Sequence, residues 1–249
     1  MSIEKKCKNC NSKLIGRFCF NCGQKSEQHV LFSDIKQDFL DEAFDYDARI
    51  FKTLKFLFAR PGFLTIEYCN GKRVKYLQPI KLYILSSVFY YFVNSFIKSS
   101  QTLFILAHQI AAKLIDKKYY DIIQDIVYSY GQEIELLLFT PFTGLVLMIL
   151  YKNTNKPFLH HMIASVHLSS FIFIFIGVIN IFSKIFYPFH NIINIFYSII
   201  PIYSMLMVKY IYGDSISTAI LKTILIFISI ELRNLIIFGI GFLVATFIH

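Results

Sequence analysis

The sequence predicts an all-α integral membrane protein of about five transmembrane helices, with amphipathic cytosolic helices and a small N-terminal zinc ribbon. Three observations support this prediction. Hydrophobic residues make up 55% of the 249 residues. Fifteen of the 25 lysines and arginines lie at or before Lys81, and long apolar runs follow. Four of the five cysteines form two closely spaced pairs near the N-terminus. A soluble globule shows neither this hydrophobic content nor this segregation of charge.

The N-terminal unit, residues 1–28, contains two Cys-x-x-Cys knuckles. Each knuckle is a tight turn that aims two thiolates at one point, and a facing pair supplies the tetrahedral sulfur set that zinc prefers. We expect this unit in the reducing cytosol, where disulfides are rare, because no secretory signal is visible before it. The spacing predicts one structural zinc ion bound by Cys7, Cys10, Cys19 and Cys22, with unmetallated thiols as the alternative. Four sulfur ligands leave no position for water, so this zinc would stabilise a fold without doing chemistry.

Residues 29–79 are predicted to form two cytosolic amphipathic helices and a basic linker. Apolar residues recur at helical spacing from Phe32 to Phe58, with a break near Asp45 to Asp47. The first helix is acidic and the second is basic, which indicates solvated faces and helix pairing, with the basic helix along the anionic membrane surface. Arg60-Pro61-Gly62 ends the second helix because proline disfavours helical geometry in the preceding residue.

Residues 80–249 are predicted to form the transmembrane bundle. A helix that rises 1.5 Å per residue needs about 20 residues to cross the hydrocarbon core. Five apolar stretches approach or exceed this length: 80–97, 134–151, 158–182, 192–211 and 219–248. The fifth is long enough to be either one tilted helix or a broken one. Residues 98–133 contain a predicted amphipathic helix, from about Leu103 to Tyr128.

The distribution of lysine and arginine around the apolar stretches predicts the orientation. Cations concentrate before the first stretch and in the connection that holds Lys152 and Lys156. The positive-inside rule then predicts a cytosolic N-terminus, a C-terminus outside and an inner-membrane location. The segment 98–133 lies outside in this arrangement, although it holds four lysines.

Several short motifs resemble a bacterial membrane-protein family that is catalogued only as a domain of unknown function. They are the four-cysteine ribbon, Arg60-Pro61-Gly62, Glu67-Tyr68, the run from Gly71 to Tyr76, Pro79, the pair His161 and His167, the run from Tyr210 to Gly213, and Leu221-Lys222. The likeness covers nearly the whole chain, and the block from Arg60 to Pro79 is its most specific part. His160 stands where the family tends to have a carboxylate. The resemblance implies an architecture and no activity.

Polar residues inside the apolar stretches predict a cluster within the membrane. His167 lies about ten residues into the third stretch, and Glu231 and Arg233 reach a similar depth in the fifth. Intramembrane charges are costly and usually face the bundle interior, so we expect His167 to meet Glu231. A structural hydrogen bond and a proton or substrate path are both left open. The interfacial candidates are His160, His161, Arg60, Glu67, Lys72 and Arg73.

The sequence contains no phosphate loop, nucleophile elbow or His-Glu-x-x-His motif. It therefore favours a non-enzymatic docking or scaffold protein of the inner membrane, with membrane lipids and a cytosolic protein bound through the ribbon as partners. A transporter or channel for a small solute or lipid is the alternative, and a lipid-modifying enzyme is left open. The net charge of +9 is explained by the anionic leaflet, so a nucleic-acid partner is not expected.

Overall fold

The structure, a computed structural model, describes residues 6–24, 26, 47–97, 138–186 and 195–248. These residues form seven α-helices, one 3₁₀ turn at Phe196–Ser198 and one isolated β-bridge between Lys6 and Lys13. The helices are α1 Asp47–Ala59, α2 Phe63–Cys69, α3 Pro79–Ile97, α4 Leu138–Leu150, α5 Phe158–Ile185, α6 Ile199–Tyr212 and α7 Ile216–Ile248. The predicted acidic helix and the amphipathic segment 98–133 lie outside the described residues.

The predicted turn after α1 is confirmed, and it brings α2 against α6. Gly62 has φ +83°, a left-handed conformation that glycine adopts without a steric penalty. A Cβ atom at Gly62 would lie 3.0 Å from the Met207 carbonyl oxygen and from the Ile211 side chain. The sequence thus needs glycine here both for the turn and for the close approach of α6.

Helix α5 is the centre of the bundle, and it packs along α3 and against α2. Phe171 is almost wholly buried and stacks on Tyr203 of α6, with ring centroids 3.5 Å apart. Tyr90 of α3 stacks on Phe173 at 5.2 Å. These rings bury large apolar areas, so they contribute much of the packing free energy between the helices.

The helix lengths test the predicted membrane spans. Within the described ranges, one helix, Phe158–Ile185, is long and apolar enough to cross a membrane, and its most apolar window is 72% buried. Leu138–Leu150 is a shorter apolar helix. A count of five spans is therefore not confirmed. The fifth apolar stretch forms one continuous helix of 33 residues, which excludes the broken form.

Candidate metal centre and buried polar contacts

The four ribbon cysteines converge on one point. Their Sγ atoms all lie within 4.8 Å of one another, with Cys7 and Cys22 at 3.6 Å and Cys10 and Cys19 at 3.4 Å. A tetrahedron with metal–sulfur bonds of ~2.3 Å has sulfur–sulfur edges of ~3.8 Å. The cluster therefore has the size of a four-sulfur metal site. In the described part of the chain it is the one group of three or more potential metal-ligating side chains this close together.

The two knuckles repeat the same backbone hydrogen bonds. The Cys7 carbonyl accepts from the Asn11 amide at 2.9 Å, and the Cys19 carbonyl accepts from the Gly23 amide at 2.8 Å. Asn11 and Gly23 occupy equivalent positions and both have positive φ, 61° and 72°. Asparagine and glycine are the residues that tolerate this conformation best, so the local sequence specifies each turn.

Hydrogen bonding prepares one thiol for metal binding. The Cys10 Sγ atom lies 3.2 Å from the Ser12 hydroxyl, and bonding to Ser12 lowers the pKa of Cys10 to about 6. The lowered pKa of Cys10 favours its thiolate, which is the form that binds metal ions. Burial raises the pKa of Cys22 to about 12, and a coordinated metal ion reverses such a shift because it deprotonates the thiol outright.

Gln24 connects the four-cysteine ribbon to the helical part of the protein. Its side-chain amide donates to the Gly71 carbonyl, and its side-chain oxygen accepts from the Arg73 backbone amide at 3.2 Å. Gln24 is 8% exposed, and the Lys8 side chain packs against Gly71 beside it. No local pattern in the sequence predicts this contact, because Gln24 and Gly71 are 47 residues apart.

Four of the predicted interfacial residues lie on or beside α2: Arg60, Glu67, Lys72 and Arg73. Glu67 is buried and accepts from Lys72 at 2.8 and 3.0 Å, which forms an ion pair at the end of α2. The Arg73 guanidinium lies 5.8 Å from the centre of the Tyr68 ring. Arg60 is exposed and packs over the rings of Phe56 and Phe63.

Cys69, at the end of α2, is a free cysteine that is half-buried. Burial raises the pKa of its thiol to about 12, and the opposing effects of Lys156 and Arg73 are smaller. Cys69 is therefore protonated at neutral pH and is a poor nucleophile and metal ligand.

His160 and His161 begin α5 and are both buried. The His161 Nδ1 atom lies 2.8 Å from the Tyr212 hydroxyl, and the two rings stack at 5.6 Å. The His160 ring lies 6.2 Å from both His161 and Tyr212. The structure thus places the two predicted histidines together, and it adds Tyr212 as their neighbour.

An ion pair that sequence reasoning missed lies next to these rings. The Asp214 carboxylate accepts from the Tyr151 hydroxyl and pairs with Lys222 at 3.2 Å. The Lys222 ammonium also lies 3.7 Å from the centre of the Tyr151 ring, and Tyr151 stacks on Tyr212 at 3.5 Å. This cluster ties together the end of α4, the end of α6 and the start of α7.

The polar residues predicted at mid-membrane depth have partners that the sequence did not reveal. His167 is 3% exposed, and its Nδ1 atom lies 2.9 Å from the Thr65 hydroxyl. Arg233 is 7% exposed and donates to the Asn234 side-chain oxygen at 2.6 and 3.1 Å. Its guanidinium lies over the rings of Phe139 and Phe142. The predicted contact between His167 and Glu231 stays a prediction.

Other buried polar groups link helices in the same way. Thr140 of α4 donates to Ser169 of α5 at 2.8 Å. Asn180 of α5 donates to Asn94 of α3 at 2.9 Å, and it accepts from Tyr197 at 2.8 Å. These contacts hold helices together in a defined register, which is the common use of polar residues inside a bundle.

A narrow groove of about 120 Å³ lies where α2, α3 and α5 meet. Its walls are almost entirely apolar. The lining residues are Tyr68, Gln78, Pro79, Ile80, Leu159, Met162, Ile163 and Val166. None of the predicted intramembrane polar residues, His167, Glu231 and Arg233, lines this groove.

These features define the class: a helical protein with an N-terminal four-cysteine cluster able to bind one metal ion. Residues 47–91 match the family described as "Protein of unknown function (DUF3667)". This match confirms a domain of unknown function from α1 to the middle of α3, which includes the block from Arg60 to Pro79. No curated protein and no solved structure matches the chain.

Proposed function

We propose that this protein is a non-enzymatic scaffold of the inner membrane, with its ribbon in the cytosol and its helical bundle as membrane anchor and assembly surface. The observation that supports it best is the contrast between an apolar exterior and a hydrogen-bonded polar interior. Monomeric soluble proteins rarely expose large contiguous apolar patches, whereas a lipid-facing surface is apolar throughout.

The apolar exterior follows helix faces. On α7 a stripe of exposed apolar side chains winds partly around the helix, because its members are three or four residues apart; it consists of Ile220, Ile224, Ile228, Leu232, Ile236, Ile240 and Leu243. At 1.5 Å per residue this stripe is ~35 Å long, close to the ~30 Å of bilayer hydrocarbon. A similar face on α3 runs from Ile84 to Phe96. Such faces support membrane spans at α3 and α7 in addition to α5.

The ribbon supports the docking role. Ile15, Phe18 and Phe20 are 82%, 62% and 74% exposed, although they are large apolar residues. Clusters of exposed apolar and aromatic side chains are typical of protein interaction sites. The Gln24 contact holds this surface on the helical body, so a bound cytosolic protein would be held at the membrane.

We infer zinc as the metal. An all-sulfur set of tetrahedral size favours zinc over oxygen-preferring ions such as magnesium and calcium. A closed four-cysteine site leaves no position for a substrate or water, so the ion would stabilise the ribbon. In zinc ribbons of this size metal binding and folding are coupled, and the docking surface would depend on the ion.

A transporter is the second candidate, motivated by the buried polar residues of α5 and α7. The hydrogen bond between Thr65 and His167 and the pairing of Arg233 with Asn234 favour the structural role, because these groups bind one another across the bundle or within a helix. An enzyme acting on a membrane-bound substrate, with His160, His161 or Glu67 as a base, is less supported. Glu67 is engaged by Lys72 and His161 by Tyr212.

The docking role is tested by photocrosslinking in intact cells. A photoreactive phenylalanine analogue at Phe18 or Phe20 should give the same discrete protein adduct, and the same analogue at Phe92 of α3 should give lipid adducts alone. The ribbon adduct should disappear in a Cys19→Ser variant. Ribbon positions that give no protein adduct, or an adduct that survives Cys19→Ser unchanged, would contradict the docking role.

A further inference from the structure

The groove between α2, α3 and α5 has the apolar lining of a site for a hydrocarbon chain. Tyr68, Pro79, Leu159, Ile163 and Val166 supply apolar walls around a volume of about 120 Å³. Leu159 and Val166 are only partly buried, so the groove is open to the surroundings. A flexible hydrocarbon chain can lie against such an open apolar surface.

The position of the groove along the helices agrees with this ligand. It is lined by the first residues of α3 and by Leu159 to Val166 of α5. Eight residues separate Phe158 from Val166, so the groove runs to a depth of ~12 Å from the start of α5. A lipid with its head group at the helix starts would place the upper part of an acyl chain at this depth.

The cationic side chain of Arg73 contacts a residue that lines the groove. The Arg73 guanidinium lies 5.8 Å from the centre of the Tyr68 ring, and Tyr68 lines the groove. Lys75 is also cationic, but its ammonium lies over Tyr76, which is not among the lining residues. Arg73 is thus a cation in contact with a residue of the groove wall, and a guanidinium binds phosphate in a bidentate geometry.

We propose that the groove holds one acyl chain of an anionic phospholipid and that Arg73 binds its phosphate. This inference rests on the proposed membrane location and adds a specific lipid site to it. Tyr68, Pro79 and Arg73 belong to the residues matched by the family of unknown function. The site thus joins that domain to the start of α5.

The test is native mass spectrometry of the full-length protein, extracted from membranes, delipidated and incubated with dioleoyl phosphatidylglycerol or dioleoyl phosphatidylcholine. The wild type should retain one phosphatidylglycerol and less phosphatidylcholine. Val166→Trp fills the groove and should abolish retention, whereas Ile224→Trp, on the exposed face of α7, should retain the lipid. Leu159→Phe is the second groove variant if Val166→Trp does not fold.

The cation is tested by a matched pair. Arg73→Gln should weaken phosphatidylglycerol retention about fivefold, the effect of one cation near an anionic surface, and Lys75→Gln should change it little. Inorganic phosphate in excess should not displace the lipid, because the chain supplies most of the binding.

Several outcomes would overturn the inference. They are retention by the folded groove variants at the wild-type level, equal retention of the two lipids, or equal effects of the two cation variants. A protein that needs no detergent and remains soluble after cell lysis would refute the proposed membrane location itself. A membrane-extracted protein without a lipid preference would refute the lipid site alone.

Discussion

The contact between Thr65 and His167 allows a quantitative test of how α2 is held on α5. Thr65→Val keeps the shape of the side chain and removes the hydroxyl, which is 2.9 Å from the His167 Nδ1 atom. Thr65 is 0% exposed and His167 is 3% exposed, so no solvent replaces the lost partner. A buried polar group left without a partner costs ~1–3 kcal/mol, and hydrogen bonds between membrane helices contribute ~0.6–1.7 kcal/mol.

We therefore expect Thr65→Val to lower the free energy of unfolding by ~1–2 kcal/mol. For a chain of this size the corresponding fall in Tm is ~2–8 °C. The assay is thermal unfolding of the purified protein in detergent, followed by circular dichroism. Thr65→Ser retains the hydroxyl and is the control, with a smaller loss that reflects only the missing methyl group.

A double-mutant cycle identifies the partner of His167. Thr65→Val combined with His167→Leu should cost less than the sum of the single variants by ~0.5 kcal/mol or more. The same cycle with Glu231→Gln and His167→Gln tests the contact expected from sequence alone. Additive losses for Thr65 and His167, within ~0.3 kcal/mol, would refute the energetic role of this hydrogen bond.

Three further predictions concern the ribbon, the topology and the free cysteine. Elemental analysis should find one zinc per chain and none in a Cys7→Ser/Cys19→Ser variant; acidification should release the ion because the thiolates become protonated. An impermeant thiol reagent should reach a cysteine introduced at Lys117 in intact spheroplasts; labelling only after the membrane is broken would reverse the topology. Burial raises the pKa of the Cys69 thiol from 9.0 to about 12 in the folded protein. At pH 8 a thiol reagent should therefore alkylate Cys69 about a thousandfold more slowly in the folded protein than in denaturant, because the reactive thiolate is about a thousandfold rarer. The rate in the folded protein should rise with pH up to about pH 12. Fast alkylation in the native protein would contradict its burial.

The sequence predicted best the features that depend on neighbouring residues. The spacing of Cys7, Cys10, Cys19 and Cys22 predicted one four-sulfur cluster, because two short turns position their thiols locally. The Arg60-Pro61-Gly62 motif predicted the end of α1, since proline and glycine act on their own backbone dihedral angles. The apolar runs predicted α3, α5 and α7 within a few residues, because a long run of apolar side chains favours a helix.

Contacts between distant residues were not predictable in this way. Depth in the apolar stretches predicts a contact between His167 and Glu231, which stays a prediction. It gives no indication of the Thr65 hydroxyl, which the structure places 2.9 Å from the His167 Nδ1 atom. Hydrophobic periodicity reports which face of a helix is buried and roughly how deep a residue lies. It does not report which of several neighbouring helices faces that residue, or at what rotation.

The sequence alone thus determined the local geometry of the metal cluster, the helical class and the approximate helix bounds, because these follow from interactions within a few residues. Only the tertiary structure decided that Gln24 attaches the ribbon to Gly71 and Arg73, that Tyr212 joins His161, and that a groove forms beside Tyr68. Those contacts depend on the packing angles and rotations of whole helices. Many side chains set these together, and no single segment of the sequence encodes them.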